Sequence, residues 1–326
     1  MQHSNVPSKR TALVTGATSG LGYSAAKQLA ESGYRSIIIT GRTVERANEA
    51  RTRLEAETGL GVFDTVPLDL NQPASVAAAA AQLAEGGATL DVAILNAGMV
   101  SGSELTRTDE DIEITMASSL VGHHQLTMQL LADRVLSPDA RILIAGSEAA
   151  RGDVPTFAVT DIHALASKHF DGDLVTAAEA IMRSGEPVKY KPANAYADAK
   201  QFVAWWAASL ARRLPAGMTI NAVSPGSAPD TDAARNANFF MRNVMLRVFK
   251  FAPGMSAPTD VAARRYLDAA QFGPEVNGLF FASAPKKMIG ELHRQQQPHI
   301  LDVRAQEAAW EALVRVSGGI DYPVSA

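Results

Sequence analysis

The stretch TALVTGATSGLG, residues 11–22, decides the fold. A short apolar, β-branched run passes directly into a loop holding Gly16, Gly20 and Gly22, and then into a segment rich in Ala, Lys, Gln and Leu. Glycines there permit a tight turn and close backbone approach. The free N–H groups at the following helix start attract a pyrophosphate. Working outward, further apolar runs stand at SIIIT (36–40), VFDTVPL (62–68), DVAIL (91–95), RILIAG (141–146), MTINAV (218–223) and GLFFA (278–282). Helix-like segments lie between them, near 21–32, 44–57, 73–85, 109–136, 196–214 and 258–270. Strands that read as continuous apolar runs are buried on both faces, and strict β-α alternation implies right-handed crossovers. The expectation is one α/β domain, a doubly wound parallel sheet of Rossmann-like type spanning 1–326. Its core covers about 11–282, with a C-terminal extension over 283–326.

Composition narrows the function. The 326 residues are 47% hydrophobic and 20% charged, and the formal charge is −4, so no basic field exists to gather a phosphate backbone and no nucleic-acid partner is expected. The chain has no cysteine, which excludes disulfides, Cys-ligated metals and thiol nucleophiles. No metal site is expected. MQHSNVPSKR at the start contains no apolar run, and no later stretch approaches ~18 consecutive apolar residues. The sequence therefore predicts a soluble, cytoplasmic protein without an integral membrane segment.

Two segments break the rhythm. Residues 148–195 exceed a simple crossover and predict a helical excursion around 158–184. Residues 227–257 enclose FFMRNVMLRVFKF (239–251) and read as a lid over a bulky, hydrophobic small-molecule substrate. Arg242, Arg247 and Lys250 could also meet a membrane surface, but a lid explains the same residues more simply.

The end of the second strand selects the cofactor. A carboxylate there would hold the ribose 2′-hydroxyl of NAD; this chain has Thr40-Gly41-Arg42-Thr43, with no acid before Glu45. A guanidinium suits a 2′-phosphate, so NADP(H) is expected over NAD(H), with Arg46 one turn later able to assist. Further along, Tyr196-Ala-Asp-Ala-Lys200 puts a phenol and an ammonium four apart on one helix face. The cation should lower the phenol's pKa, which is otherwise too high for acid/base work at neutral pH.

Together these residues resemble the short-chain dehydrogenase/reductase family, in order from Thr11 to about Phe281. The loop holding Gly16, Thr18, Ser19, Gly20, Leu21 and Gly22 is similar to its TGxxxGxG element, Asn96-Ala97-Gly98 to its NAG, and Tyr196/Lys200 to its YxxxK pair. Ser147 in RILIAGSEAA resembles its active-site serine, and Pro225-Gly226 the turn beside the nicotinamide. Asp69 and Leu70 in PLDL stand where members hold the adenine. VGHHQLTMQLL (121–131), the long gap before the tyrosine and the tail 290–313 resemble the retinol-dehydrogenase and protochlorophyllide-reductase-like branch. The absence of cysteine sets the chain apart from the light-driven reductase itself.

The resemblance implies an NADP(H)-dependent oxidoreductase interconverting a carbonyl and a secondary alcohol. In it Tyr196 is the general acid/base, Lys200 lowers the Tyr196 pKa and bonds the nicotinamide ribose, and Ser147 bonds the substrate oxygen. It also implies a homodimer or homotetramer. The sequence departs from the family in two places. Where members carry a relay asparagine, Ser119 stands here, a residue able to hold a water. Four residues after the turn glycine, Asp230 replaces the usual threonine, leaving Ser227 or Thr231 to bond the carboxamide. Two alternatives stay open, a non-catalytic NADP(H) sensor of the same fold and a reductase of an activated C=C bond. His123 and His124 are adjacent, point about 100° apart on a helix and read as structural. His163 and His169 read as solvated. Of Trp205 and Trp206, one is expected in the core and the other at a subunit interface.

Overall fold

The computed structural model describes residues 10–87, 89–228 and 256–321. Each quoted apolar run forms a strand: β1 (Thr11–Val14), β2 (Ser36–Gly41), β3 (Phe63–Pro67), β4 (Leu90–Leu95), β5 (Leu136–Ala145), β6 (Thr219–Val223) and β7 (Phe280–Ala282). They pair in the order β3-β2-β1-β4-β5-β6-β7, all parallel. An eighth strand, β8 (His293–Arg294), adds antiparallel to β7. Successive residues of β1 feed opposite layers: Leu13 packs with one apolar cluster, Ala12 and Val14 with the other. The chain order reverses between β1 and β4, the switch point at which open α/β sheets place ligands.

On one face lie α1 (Gly20–Glu31) and α2 (Val44–Thr58); the other carries α3 (Pro73–Glu85). The helix expected over 109–136 is shorter and irregular. After Asp111, in the left-handed region at φ 62°, come α4 (Ile114–Met116), a π-helical segment (Ala117–Val121) and α5 (Gly122–Ala132). The buried Glu113 carboxylate starts it, accepting from the Thr115 and Met116 amides.

The excursion before the long central helix is helical as expected, with α6 (Ile162–His169) and α7 (Leu174–Arg183). Asp161 and Asp173 cap their first turns. The helix expected at 196 begins earlier: α8 spans Pro192–Ala211, with Pro192 at its first position, where a missing N–H costs nothing. Tyr196 thus sits in the second turn. α9 (Thr259–Ala269) packs on α1. Beyond β8, α10 (Pro298–Leu301) leads into α11 (Val303–Val316), whose buried face, including Trp310 and Leu313, lies on α7 and α8. No helix among the described residues is long and apolar enough to cross a membrane.

Candidate active site

The glycine loop is shaped by contact with the end of β4. Gly16 has φ +65°, and a Cβ there would lie 2.9 Å from the Ala97 Cα. A Cβ on Gly22 would meet the Asn96 amide nitrogen at 2.5 Å and the Gly16 carbonyl at 2.6 Å. Side chains lock this approach. The Asn96 Nδ2 donates to the Thr15 carbonyl at 3.0 Å, and the Ala97 N–H to the Thr15 Oγ1, also at 3.0 Å. Thr15 passes its own proton to the His123 Nε2 at 2.9 Å, which leaves the His123 Nδ1–H for the Ser119 carbonyl at 3.2 Å. Asn96 and Ala97 therefore build the cradle itself.

Around the cradle, Ser19 takes the N-cap position of α1 in extended conformation, next to Gly20 and Leu21, and the Thr18 carbonyl accepts from the Arg53 Nη2 at 2.7 Å. Arg42 and Arg46 are both exposed where β2 runs into α2. Asp69 folds back to accept the Asn71 amide at 3.0 Å, while the neighbouring Leu70 is buried.

α8 brings the phenol and ammonium to the carboxyl end of β5. The Lys200 Nζ donates to the Ala145 carbonyl at 2.8 Å and lies 5.7 Å from the centre of the Tyr196 ring. Burial pushes Lys200 down to about 8. The expected lowering of Tyr196 by this cation is not found. Tyr196 lies above the ordinary phenol range, chiefly because burial disfavours the phenolate; a hydrogen bond with Ser147 works the other way and the Glu148 carboxylate adds to the rise. The reason is geometric: Lys200 faces the ring and spends a proton on a carbonyl rather than on the phenol oxygen.

Ser147 begins the 3₁₀ turn Glu148–Arg151, where its hydroxyl accepts the Ala149 amide at 3.2 Å. Ser119, in the π-helical segment, is 1% exposed, and its Oγ has no hydrogen-bond partner. A Cβ on Gly98 would lie 3.1 Å from that Oγ and 3.8 Å from the Lys200 Nζ, so the three groups converge.

On the far side, Gly226 follows Pro225 at φ +83° and donates to the Ser224 Oγ at 3.1 Å; the Ser227 amide donates to the Met288 carbonyl at 3.0 Å. Asp230, Thr231 and all of 239–251 lie outside the described residues, as does most of the lid expected over 227–257.

Several buried polar residues of this region escaped the sequence reading. Behind Ser147, Glu148 pairs with Arg265 and Arg151 with Asp153. Asp198, between Tyr196 and Lys200, accepts from the Thr160 amide and hydroxyl, both at 2.7 Å, and burial raises it to about 7. That clamp belongs to the loop carrying Phe157, whose ring stands 5.9 Å from that of Tyr196. The adjacency of Glu148 to Ser147 was the only local hint.

Several side chains lie elsewhere than their spacing suggests. Both Trp205 and Trp206 are 1% exposed, because α10 and α11 cover α8 from one side and α5 meets it from another: the Trp205 indole donates to the His299 carbonyl of α10 at 2.7 Å, and the Trp206 indole to the His124 Nδ1 of α5 at 3.2 Å. His163 is not simply solvated, since its Nε2 meets the Asp302 carboxylate at 2.5 Å from the start of α11. His123 and His124 are buried and structural, and burial pushes both down to about 4. Among the described residues, no group of three or more His, Asp or Glu could hold a metal ion.

A glycine cradle at the switch point of a parallel sheet defines a class of Rossmann-like α/β proteins that place a nucleotide there. Within that class, the pattern of the short chain dehydrogenase family matches residues 10–178, which includes the cradle and Ser147 and stops before Tyr196. The chain belongs to this family of oxidoreductases. It is 32% identical to the oxidoreductase fscI of Fusarium equiseti, over 67% of this chain and 87% of that one. The protochlorophyllide reductase of Chlamydomonas reinhardtii is 26% identical over 95% of this chain and 78% of its own, in keeping with the expected branch. A short chain dehydrogenase from Burkholderia cenocepacia, solved in complex with NADP, superposes with a TM-score of 0.59 at 27% identity, covering 85% of this chain and 96% of that one.

Proposed function

We propose that this chain is an NADP(H)-dependent oxidoreductase that interconverts a carbonyl and a secondary alcohol on a bulky, mainly hydrophobic substrate. The observation carrying the reading is the convergence of Ser147, Tyr196, Lys200 and Ser119 beside the glycine cradle at the switch point. The cradle fits a dinucleotide: its loop opens α1 at the switch point, and it lies so close to the end of β4 that a Cβ on Gly16 or Gly22 would force it out of shape. Gly16 through Gly22 would hold the pyrophosphate, Asp69 and Leu70 the adenine, and Arg42 a 2′-phosphate, with Lys200 at the ribose and Pro225, Gly226 and Ser227 at the nicotinamide. Binding of NADP by the related Burkholderia enzyme supports this choice. When bound, the cofactor supplies the hydride.

The chain's own groups do the rest. Tyr196, raised above the ordinary phenol value, is protonated at neutral pH and suited to give its proton to a substrate oxygen. Ser147 holds that oxygen, stabilising charge as it develops. The orphan hydroxyl of Ser119, close to Lys200, can hold a water and return a proton toward the lysine. Phe157 supplies apolar surface next to Tyr196, as a bulky substrate requires. A cytoplasmic homodimer or homotetramer belongs to the same proposal, assembled through a face other than that of Trp205 and Trp206.

The test is titration with NADPH and NADH by fluorescence, with turnover of a panel of bulky ketones in wild type and Tyr196→Phe. NADPH binding tighter than NADH, with turnover falling roughly 10²–10⁴-fold in the variant, is expected. Preference for NADH would sink the role of Arg42. Binding without turnover across the panel would favour the sensor.

A further inference from the structure

A carboxylate with no assigned task lies directly behind Ser147. Glu148 is 1% exposed, and every neighbour of its two oxygens is a donor. Oε2 accepts from the Ser224 hydroxyl at 2.5 Å. Oε1 accepts from the Ser283 amide at 3.0 Å, the Ser283 hydroxyl at 2.8 Å and the Arg265 Nη1 at 3.4 Å. Arg265, itself buried, spends its other protons on the Ser224 carbonyl at 2.9 Å, the Ser283 Oγ at 2.9 Å and the Gly290 carbonyl at 2.6 Å. Ser224 in turn accepts the Gly226 amide, so an ordered chain of donors runs from the turn glycine to the carboxylate. A second guanidinium, Arg151, ties the same 3₁₀ turn to the Ser283, Ala284 and Lys287 carbonyls, with Asp153 as its ion partner.

The arrangement costs more than a fold needs. Burying an ion pair is roughly neutral against apolar packing at best, so a pair sited here calls for a reason beyond stability. Its location supplies one. The pair joins the residue after Ser147 to the Pro225–Gly226 turn and to the chain after β7, which are the walls facing the proposed nicotinamide site. It also stands near enough to Tyr196 for its charge to be felt there.

We infer that Glu148 is a positioning residue: paired with Arg265, it holds the Pro225–Gly226 turn and the 283–290 chain in register with Ser147, and it sets a negative charge beside the Tyr196–Ser147 pair. The inference rests on the proposed function for the identity of the site. A glutamine cannot substitute. Its amide would turn a donor toward either Ser224 or Ser283 and reverse the chain at that point.

The test uses the full chain with Glu148→Gln and Ser224→Ala, each also made with Tyr196→Phe so that the Tyr196 phenolate can be isolated by ultraviolet difference titration. Two effects are expected of Glu148→Gln: NADPH affinity weaker by roughly tenfold, the scale of one charge-assisted hydrogen bond, and a Tyr196 titration displaced to lower pH. Ser224→Ala keeps the carboxylate and removes the hydroxyl that bridges it to the Gly226 amide, so its NADPH affinity falls while its Tyr196 titration stays at the wild-type position. A purely structural glutamate would leave the titration in place. In folded Glu148→Gln, an unchanged NADPH affinity or an unchanged titration overturns the inference. Should that variant not fold, unchanged NADPH affinity in Ser224→Ala overturns it instead. Failure of wild type to bind NADPH, or full turnover in Tyr196→Phe, would defeat the proposed function, and the phenolate titration would still decide the role of Glu148.

Discussion

The two sides of the site are built from different materials. The cradle side, from β1 to β4, is shaped by missing side chains and by short neutral hydrogen bonds among Thr15, Asn96 and Ala97. The side from β5 to β8 is held by charges taken out of water, with Glu148, Arg151, Asp198, Lys200 and Arg265 all buried within it. A backbone cradle needs only close approach, and any added atom spoils it. A reacting wall needs fixed polarity, which in a low-dielectric interior is strong and intolerant of a missing partner. The first side should therefore break when an atom is added, and the second when a charge is removed.

The largest effect is expected from Arg265→Met. It leaves Glu148 buried with its ion partner gone and should destabilise the fold by about 3–5 kcal/mol in urea unfolding, a loss that Glu148→Gln in the same chain should partly restore. Next comes Gly22→Ala, where one methyl meets Asn96 and the Gly16 carbonyl; a loss of about 1–3 kcal/mol together with NADPH binding is expected by the same assay and by fluorescence. A loss of binding in Arg265→Met equal to that in Gly22→Ala, without loss of stability, would erase the contrast.

Two smaller effects sharpen it through pH. Asp198 is raised to about 7 when folded, above its ordinary value near 3.8, so the folded state holds the extra proton between those values. Stability therefore falls as pH rises from about 4 to 7. Asp198→Asn, which can keep both Thr160 contacts, should flatten that slope and be the more stable protein at pH 8 by about 2 kcal/mol. Lys200 has the opposite sign. Held at about 8 against 10.5, it costs stability below pH 8, and the cost fades as pH rises toward 10.5. Lys200→Met should abolish turnover yet stabilise the protein at pH 7 by about 1 kcal/mol, after loss of the bond to Ala145 is counted. A less stable Lys200→Met would mean that the ammonium is paired in ways its single bond to a carbonyl does not suggest.

The same contrast explains what the sequence made legible. Runs such as SIIIT and DVAIL announce strands because both faces of the sheet are covered, and the cradle's glycine spacing lies within seven residues of chain. Nothing local marks β8, two exposed residues that earn their place only by pairing with β7. Nor does anything local show that Trp205 and Trp206 both lie inside, since their cover comes from Trp310 and His299 some hundred residues on. Asp198 was visible as a residue between Tyr196 and Lys200, but its partner Thr160 sits in an insertion whose path no periodicity fixes. The π-helical segment around Ser119 likewise leaves no signature in an apolar helical run.

The separation of these parts along the chain has a consequence for biosynthesis. Glu148 meets Ser224 at a distance of 76 residues and Ser283 at 135, and Arg151 meets Lys287 at 136. A ribosome that has delivered everything through α8 has delivered the cradle, the tyrosine and the lysine, but not the strand and loop that the buried charges require. Until β7 and its following loop emerge, Glu148 stands without Ser283 and Arg151 without the three carbonyls it binds, and long-range closure of this kind comes late in folding. The nascent chain can thus acquire its nucleotide cradle well before it acquires a working reaction chamber.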